Sequence, residues 1–204
     1  MAVSRHPIIA NEGRKLVLSC AALAFALHVQ FGVWAIPLWM LTALIAWLYR
    51  DPQRIIPSRP LTVVSPVDGR IITVDTTTDR FLNRQALHIE IAMSVFGVFS
   101  LRSVTEGRVQ QIWQEQTDHG ICLAIWIQTD EKEDTVLVLR PGRWLRRLSY
   151  HLAHGNRIGH GQRFGHILFG NRIDVYLPAS SRSNIEPGQR VKAGSDAIAE
   201  FLPS

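Results

Sequence analysis

The feature that most constrains this chain is an apolar run over residues 16–49, in which only His28 and Gln30 are strongly polar. A single helix of about 34 residues, rising 1.5 Å per residue, would overshoot a hydrocarbon core roughly 30 Å thick. Gly32 and Pro37 stand near the middle of the run, and both residue types break or kink helices. The run is therefore expected to fold as a helical hairpin, with arms over 16–31 and 37–49. Each arm is short for a full span, so a tilted, shallow or re-entrant pair fits the pattern as well as two crossings do. Two readings compete. One is a cleaved signal peptide, for which the run is too long and begins too far in; the other is a hairpin buried in a soluble protein. Arg14 and Lys15 before the run, with Arg50 and Arg54 after it, would keep both ends on the cytoplasmic side of the membrane.

The segment "YRDPQRIIPSRP" is charged, carries three prolines and marks a boundary. The expected organisation is a membrane-associated hairpin over 1–49, a linker over 50–60 and a β domain over 61–204. Beyond the linker the sequence is mostly short alternating runs cut by glycine-containing turns. "LTVVSPVDGRIITV" reads as a hairpin around Pro66-Val67-Asp68-Gly69. "LHIEIAMSVF", "ICLAIWIQT" and "TVLVLRP" read as strands, the last two joined by a charged turn. Only "GRWLRRLSYHL", residues 142–152, has helical spacing, through Trp144, Leu145, Leu148 and Leu152. "GNRIGHGQRFGHI" and "GQRVKAGSDAIAEF" share a Gly-x-Arg-β-branched-x-x-Gly plan and read as hairpins with glycine at positive φ. They suggest the flattened sandwich of lipoyl and biotinyl carriers, but no lysine sits at a hairpin tip. The fold class expected is mainly β: a compact sandwich or barrel-like domain of short hairpins with one short helix, behind the hydrophobic hairpin.

The charge balance is +5, from 22 Lys and Arg against 17 Asp and Glu. Next to a membrane segment that excess suits anionic headgroups, and no nucleic-acid reader motif accompanies it. Two cysteines, Cys20 and Cys122, make no disulfide framework or metal knuckle. His151, His154, His160 and His166 fall close together, yet lack a nearby acidic or cysteine co-ligand in sequence. They are expected to be solvated or hydrogen-bonded, with no metal.

Five segments in order, "EGRKLV" with the hairpin and "LYRDPQRIIP", "VVSPVDGRI", "IAMSVFGVFSLRSVTEGRV", "RFGHILFGNRIDVYLP" and "PGQRVKAGSDAIA", carry a resemblance. Over nearly the whole chain they resemble the phosphatidylserine decarboxylases, in particular the short bacterial and archaeal-type members. The resemblance implies self-processing chemistry. A serine after a Phe-Gly break attacks the preceding carbonyl, exchanging amide for ester. Elimination across its Cα–Cβ bond then cleaves the chain and leaves a pyruvoyl group, the electron sink for decarboxylation. The matching positions here are Gly170 and Asn171, with Asp68 and Phe99 where the family has the orienting aspartate and the histidine base; Gly97 stands where relatives carry an acidic residue.

Asn171 offers no oxygen that can carry an acyl group and then leave. Its amide nitrogen could attack forward to a succinimide, which gives no amino-terminal ketone. Phe99 cannot move a proton. None of Ser149, Ser180, Ser181 and Ser183 follows the Phe169-Gly170 break. No position of the processing site is therefore expected to be catalytically competent. No pyruvoyl cofactor is expected, except under the alternative of an active decarboxylase making phosphatidylethanolamine. The leading expectation is a non-catalytic lipid-binding or partner subunit. Met93, Ser94 and Arg102 are the lipid-binding candidates from the domain, with Trp144, Arg146 and Arg147 from the interfacial helix. Asp68 also reads as a plain turn residue, and Arg102 as half of a surface salt bridge. The partners expected are membrane phospholipid and an active paralogue or another membrane enzyme, with a homo-oligomer left open and no nucleic acid.

Overall fold

The structure, a computed structural model, describes residues 9–57, 59, 61–117, 120–140, 148–168 and 172–202. The chain divides into two compact units, Met1–Gln53 and Arg54–Ser204.

The first unit is a helical hairpin. Helix α1 (Asn11–Phe31) ends at a 3₁₀ turn over Gly32–Ala35, and α2 (Ile36–Leu48) returns with Pro37 in its first turn. Gly32 adopts φ +57° with nothing within 4 Å of a Cβ built there, so backbone conformation rather than space selects glycine. The far ends meet: the Ala10 N–H donates to the Tyr49 carbonyl at 2.8 Å, and Ile9 bridges Arg50. At Gly13 a Cβ would fall 2.2 Å from the Tyr49 ring, so glycine there permits the arms to close. α1 begins before the expected arm and takes in Arg14 and Lys15. Its 21 residues rise about 31 Å, while the 13 of α2 rise about 20 Å. The helical run is long and apolar enough to cross a membrane by length and composition, and little of it is buried within the protein.

The second unit is mainly β. In chain order its strands are β1 (Thr62–Val64), β2 (Gly69–Asp79), β3 (Arg84–Met93), β4 (Ser100–Arg102), β5 (Gly107–Thr117), β6 (Gly120–Gln128) and β7 (Asp134–Arg140). There follow β8 (Leu148–Tyr150), β9 (Arg157–Ile158), β10 (Arg163–Ile167), β11 (Arg172–Pro178), β12 (Arg182–Ser183), β13 (Arg190–Val191) and β14 (Ala197–Glu200). Eight of them form one sheet in the order β13-β2-β3-β11-β7-β6-β5-β9, and two three-stranded sheets, β1-β14-β12 and β4-β10-β8, complete the unit. Alternate residues of the long strands supply the core, among them Ile89, Ile91, Leu123, Ile125, Leu137, Leu139, Ile173 and Val175, all fully buried. This period-two pattern puts one face of each strand inward.

Several expected hairpins are crossovers instead. β1 and β2 flank the Pro66-Val67-Asp68 turn but lie in different sheets, β1 beside β14 and β2 beside β3. The two glycine-rich units behave alike: β9 joins β5 while β10 joins β4, and β13 joins β2 while β14 joins β1. Gly161 and Gly194 take positive φ, +62° and +69°, as the repeated plan implies. Their turns nevertheless pass the chain from one sheet to another. Local pattern records the turn but not the partner that each strand finds. The helix expected over 142–152 is corrected over its last part, where Leu148–Tyr150 is a strand on β10. Cross-strand pairing overrides the helical spacing there, and residues 141–147 lie outside the described residues.

Candidate functional site

Asp68 gathers three separate links. Its carboxylate accepts from the backbone N–H of Val98 at 3.0 Å and of Ala193 at 2.8 Å. The Arg54 guanidinium donates to both carboxylate oxygens, at 2.7 and 3.0 Å. The Ser94 N–H donates to the Asp68 carbonyl at 2.9 Å. Val98 lies in the link from β3 to β4, and Ala193 in the link from β13 to β14. Each of these links, like the one carrying Asp68, passes between the large sheet and a small one. A residue capping its own turn needs no such distant donors. Asp68 is the tie that holds these three crossovers together, through charge-assisted hydrogen bonds from N–H groups of separate links.

Phe99 follows Val98 directly and is buried. Its ring meets the His166 imidazole edge-on, with centroids 6.2 Å apart. His166 is itself buried on β10, opposite Ser100 of β4 and Ser149 of β8. An imidazole therefore stands beside the position where the resemblance places a histidine, though on the neighbouring strand. Sequence reasoning weighs His166 as a metal ligand and prefers a solvated or hydrogen-bonded histidine; the signal, a lone histidine in the apolar β10 pattern, points to no partner. At Gly97 a Cβ would lie 2.7 Å from the Asp68 Cβ, so an acidic side chain there would require the loop to move.

The link from β10 to β11 is another crossover between a small sheet and the large one. Its residues 169–171 lie outside the described residues, and with them Gly170 and Asn171. The residues on either side locate the approach: Leu168 is buried, and Arg172 opens β11 opposite Ala92 and Arg140. Ala92 adjoins Met93 and Ser94, which line a cleft of about 490 Å³ together with Asp68 and Gly97. Met93 and Ser94 are thus brought to Asp68. Arg102 is not among the residues that line this cleft; it is 3 % exposed, and its Nη1 donates to the Gly161 carbonyl at 3.1 Å. Arg102 is thus a buried side chain, not a surface one. Trp144, Arg146 and Arg147 lie outside the described residues. The other histidines have separate surroundings: His154 bonds the Gln110 carbonyl through Nδ1, and burial pushes the His160 imidazole below its ordinary pKa. Among the described residues, no three His, Cys, Asp or Glu side chains come together as metal ligands.

Fold and site define a mainly β protein with an apolar helical hairpin, in which one carboxylate ties three of the crossovers between sheets. Comparison with known sequences narrows that class. The family described as phosphatidylserine decarboxylase matches residues 41–199. A protein of Nitrosomonas eutropha named phosphatidylserine decarboxylase proenzyme is 39 % identical, with 96 % of each chain covered. Proteins of the same name from Nitrosomonas europaea and Burkholderia ambifaria are each 37 % identical, covering 96 % of this chain and 96 % and 97 % of their own. No solved structure gives a significant match. The chain belongs to the phosphatidylserine decarboxylase family.

Proposed function

We propose that this chain is a membrane-held member of its family that binds an amino-headgroup phospholipid but does not process itself into a pyruvoyl enzyme. The observation that carries the reading is Asn171, in the place where self-cleavage needs a hydroxyl. A carboxamide cannot form the ester, nor expel a carboxylate from Cβ, so the residue does not fit the group and no decarboxylation step runs through it. Two further features support the reading. The exposed apolar hairpin suits insertion into the cytoplasmic membrane, with the β domain on the cytoplasmic side. The cleft beside Asp68, with Met93 and Ser94 in its wall, offers room for a headgroup. Under this reading the protein acts beside an active paralogue or another membrane enzyme.

A second reading, an active decarboxylase producing phosphatidylethanolamine, is favoured by the names of the relatives, by the intact Asp68 network and by the imidazole of His166 beside Phe99. Intact-mass analysis of the purified chain separates the two. One polypeptide of 23.0 kDa is expected, with no CO2 released from phosphatidylserine. Two fragments meeting at Gly170 and Asn171, or release of CO2, would overturn the proposal. The converse variant is Asn171→Ser with Phe99→His, leaving Gly97 untouched because of its approach to Asp68. It is expected to split, whereas Asn171→Ser alone stays whole unless His166 serves as the base.

A further inference from the structure

One row of residues crosses five strands of the large sheet at the end where β11 begins. In register it reads Arg190 on β13, Arg70 on β2, Ala92 on β3, Arg172 on β11 and Arg140 on β7. Directly opposed side chains of like charge destabilise an antiparallel pair, and this row holds two such pairs. The pair on one side is neutralised from the neighbouring rows. Arg172 contacts Glu90 at 2.7 Å and Arg140 contacts the buried Asp174 at 2.7 Å. The pair on the other side has no such counter-charge. Arg70 and Arg190 are exposed and form no ion pair among the described residues, and both line the cleft with Lys192. Asp68, the carboxylate in that cleft, is already held by Arg54 and two backbone N–H groups. The cleft therefore carries a local excess of positive charge that the fold leaves unmatched. Phe96, 78 % exposed, also lines the cleft, and Val95 beside it in the chain is 59 % exposed. Ala92, between the arginine pairs, contributes little bulk to fill the space.

We propose that Arg70, Arg190 and Lys192 seat the phosphate diester of a membrane phospholipid, with Val95 and Phe96 meeting the apolar part of the same molecule. The inference rests on the lipid-binding reading above and names the part of the cleft that reads the phosphate. Two guanidiniums side by side match the geometry of phosphate oxygens, through paired N–H···O⁻ bonds that a single ammonium cannot supply. A phosphate also relieves the Arg70–Arg190 repulsion, so ligand and fold gain from the same contact. Apolar exposure beside the cations points to a lipid source over free phosphate.

The test uses the full chain in detergent, titrated with dihexanoyl phosphatidylserine, dihexanoyl phosphatidylglycerol and inorganic phosphate by calorimetry. Both short-chain lipids are expected to bind through the shared phosphate, phosphatidylserine the more tightly, and inorganic phosphate at least tenfold more weakly than either. Arg190→Glu is expected to lose at least tenfold of the affinity for both lipids. Because it pairs with Arg70, the same variant should unfold at the wild-type temperature or above it, which distinguishes loss of the site from loss of the fold. Phe96→Ser should weaken the lipids and leave inorganic phosphate unchanged. Unaltered lipid affinity in Arg190→Glu overturns the phosphate seat while leaving lipid binding elsewhere in place. Equal affinity for inorganic phosphate overturns the lipid source. If neither lipid binds the wild-type chain, the lipid-binding reading falls and this inference falls with it.

Discussion

The hairpin and the β unit use apolar residues in opposite ways. In the β unit the large aliphatic side chains of β3, β6, β7 and β11 are inside, and the other face of β6 and β7 is apolar and covered too, with Trp113, Trp126 and Tyr176 packed on Val136 and Val138. In the hairpin the large side chains face outward: Leu18, Phe25, Val29 and Met40 are exposed, and Trp34 at the tip is 84 % exposed. Single exposed apolar residues are ordinary on a protein surface, but a continuous exposed apolar surface of this kind marks a contact with something that is not water. The β unit thus carries its own core, whereas the hairpin's apolar surface is matched to an environment that the protein does not itself provide. The comparison also locates the charges. Those that matter to the site lie in the β unit at the sheet crossovers, and the long apolar stretch of the hairpin carries none.

The sharpest way to break the comparison is to charge the hairpin. Phe25→Arg combined with Leu44→Arg puts one cation near the middle of each arm. At roughly 2.5–3.5 kcal/mol for each charge at the centre of an inserted helix, the pair is expected to shift the protein out of carbonate-washed membranes. Retention equal to wild type would mean that the arms lie at the interface or pack against protein. The next effect is smaller and concerns the β unit. Ile91 on β3 is fully buried, and Ile91→Ala is expected to cost about 2–5 kcal/mol of stability. Leu18→Ala, on exposed hairpin surface, should leave the thermal midpoint in detergent nearly unchanged. Comparable losses from the two substitutions would show that the hairpin side chain is buried against protein after all.

How much of this was legible in the sequence follows the same division. The hairpin could be read almost residue by residue, because its signals are local: an apolar run, a glycine that turns and a proline that restarts the helix. The strands of the β unit were legible wherever alternation was long, as in β3, β6 and β7, and the charged turn between β6 and β7 joins them as expected. Their partners were not. The turn at Asp68 looks like a hairpin because the sequence shows two alternating runs around a glycine; only the tertiary pairing shows that the strands part. The same limit applies to the site. Asp68, Met93 and Ser94 were singled out, but Arg54 appeared only as a flanking charge, and nothing local says that the Ala193 N–H comes to Asp68 from 125 positions away. Arg70 and Arg190 each follow a turn glycine in the "DGRI" and "GQRV" segments. That likeness was visible, but not that β2 and β13 pair the two arginines.

The smallest effect tests whether the charges on the large sheet are settled, as they are not at Arg70 and Arg190. His88 on β3 contacts Asp174 through Nε2 at 3.1 Å and Asp75 through Nδ1 at 2.8 Å, and stacks on Tyr176 with ring centroids 4.8 Å apart. Burial disfavours the imidazolium, but hydrogen bonds first to Asp174 and then to Asp75 outweigh it, so the pKa stands above the ordinary 6.5. A histidine whose folded pKa exceeds its unfolded one adds stability that is fully present below the unfolded value and is lost as pH rises through the folded value. Wild type should therefore exceed His88→Gln in thermal midpoint most clearly below pH 6.5, with the difference shrinking as the solution becomes alkaline. With Asp75 partly exposed, the contribution is on the order of 1 kcal/mol or less. The comparison is best made between about pH 5.5 and pH 8, a window that brackets the ordinary imidazole value. A difference that is constant across that range, or that grows with pH, would mean that the imidazole is neutral when folded and that the Asp174 charge is balanced by Arg140 alone.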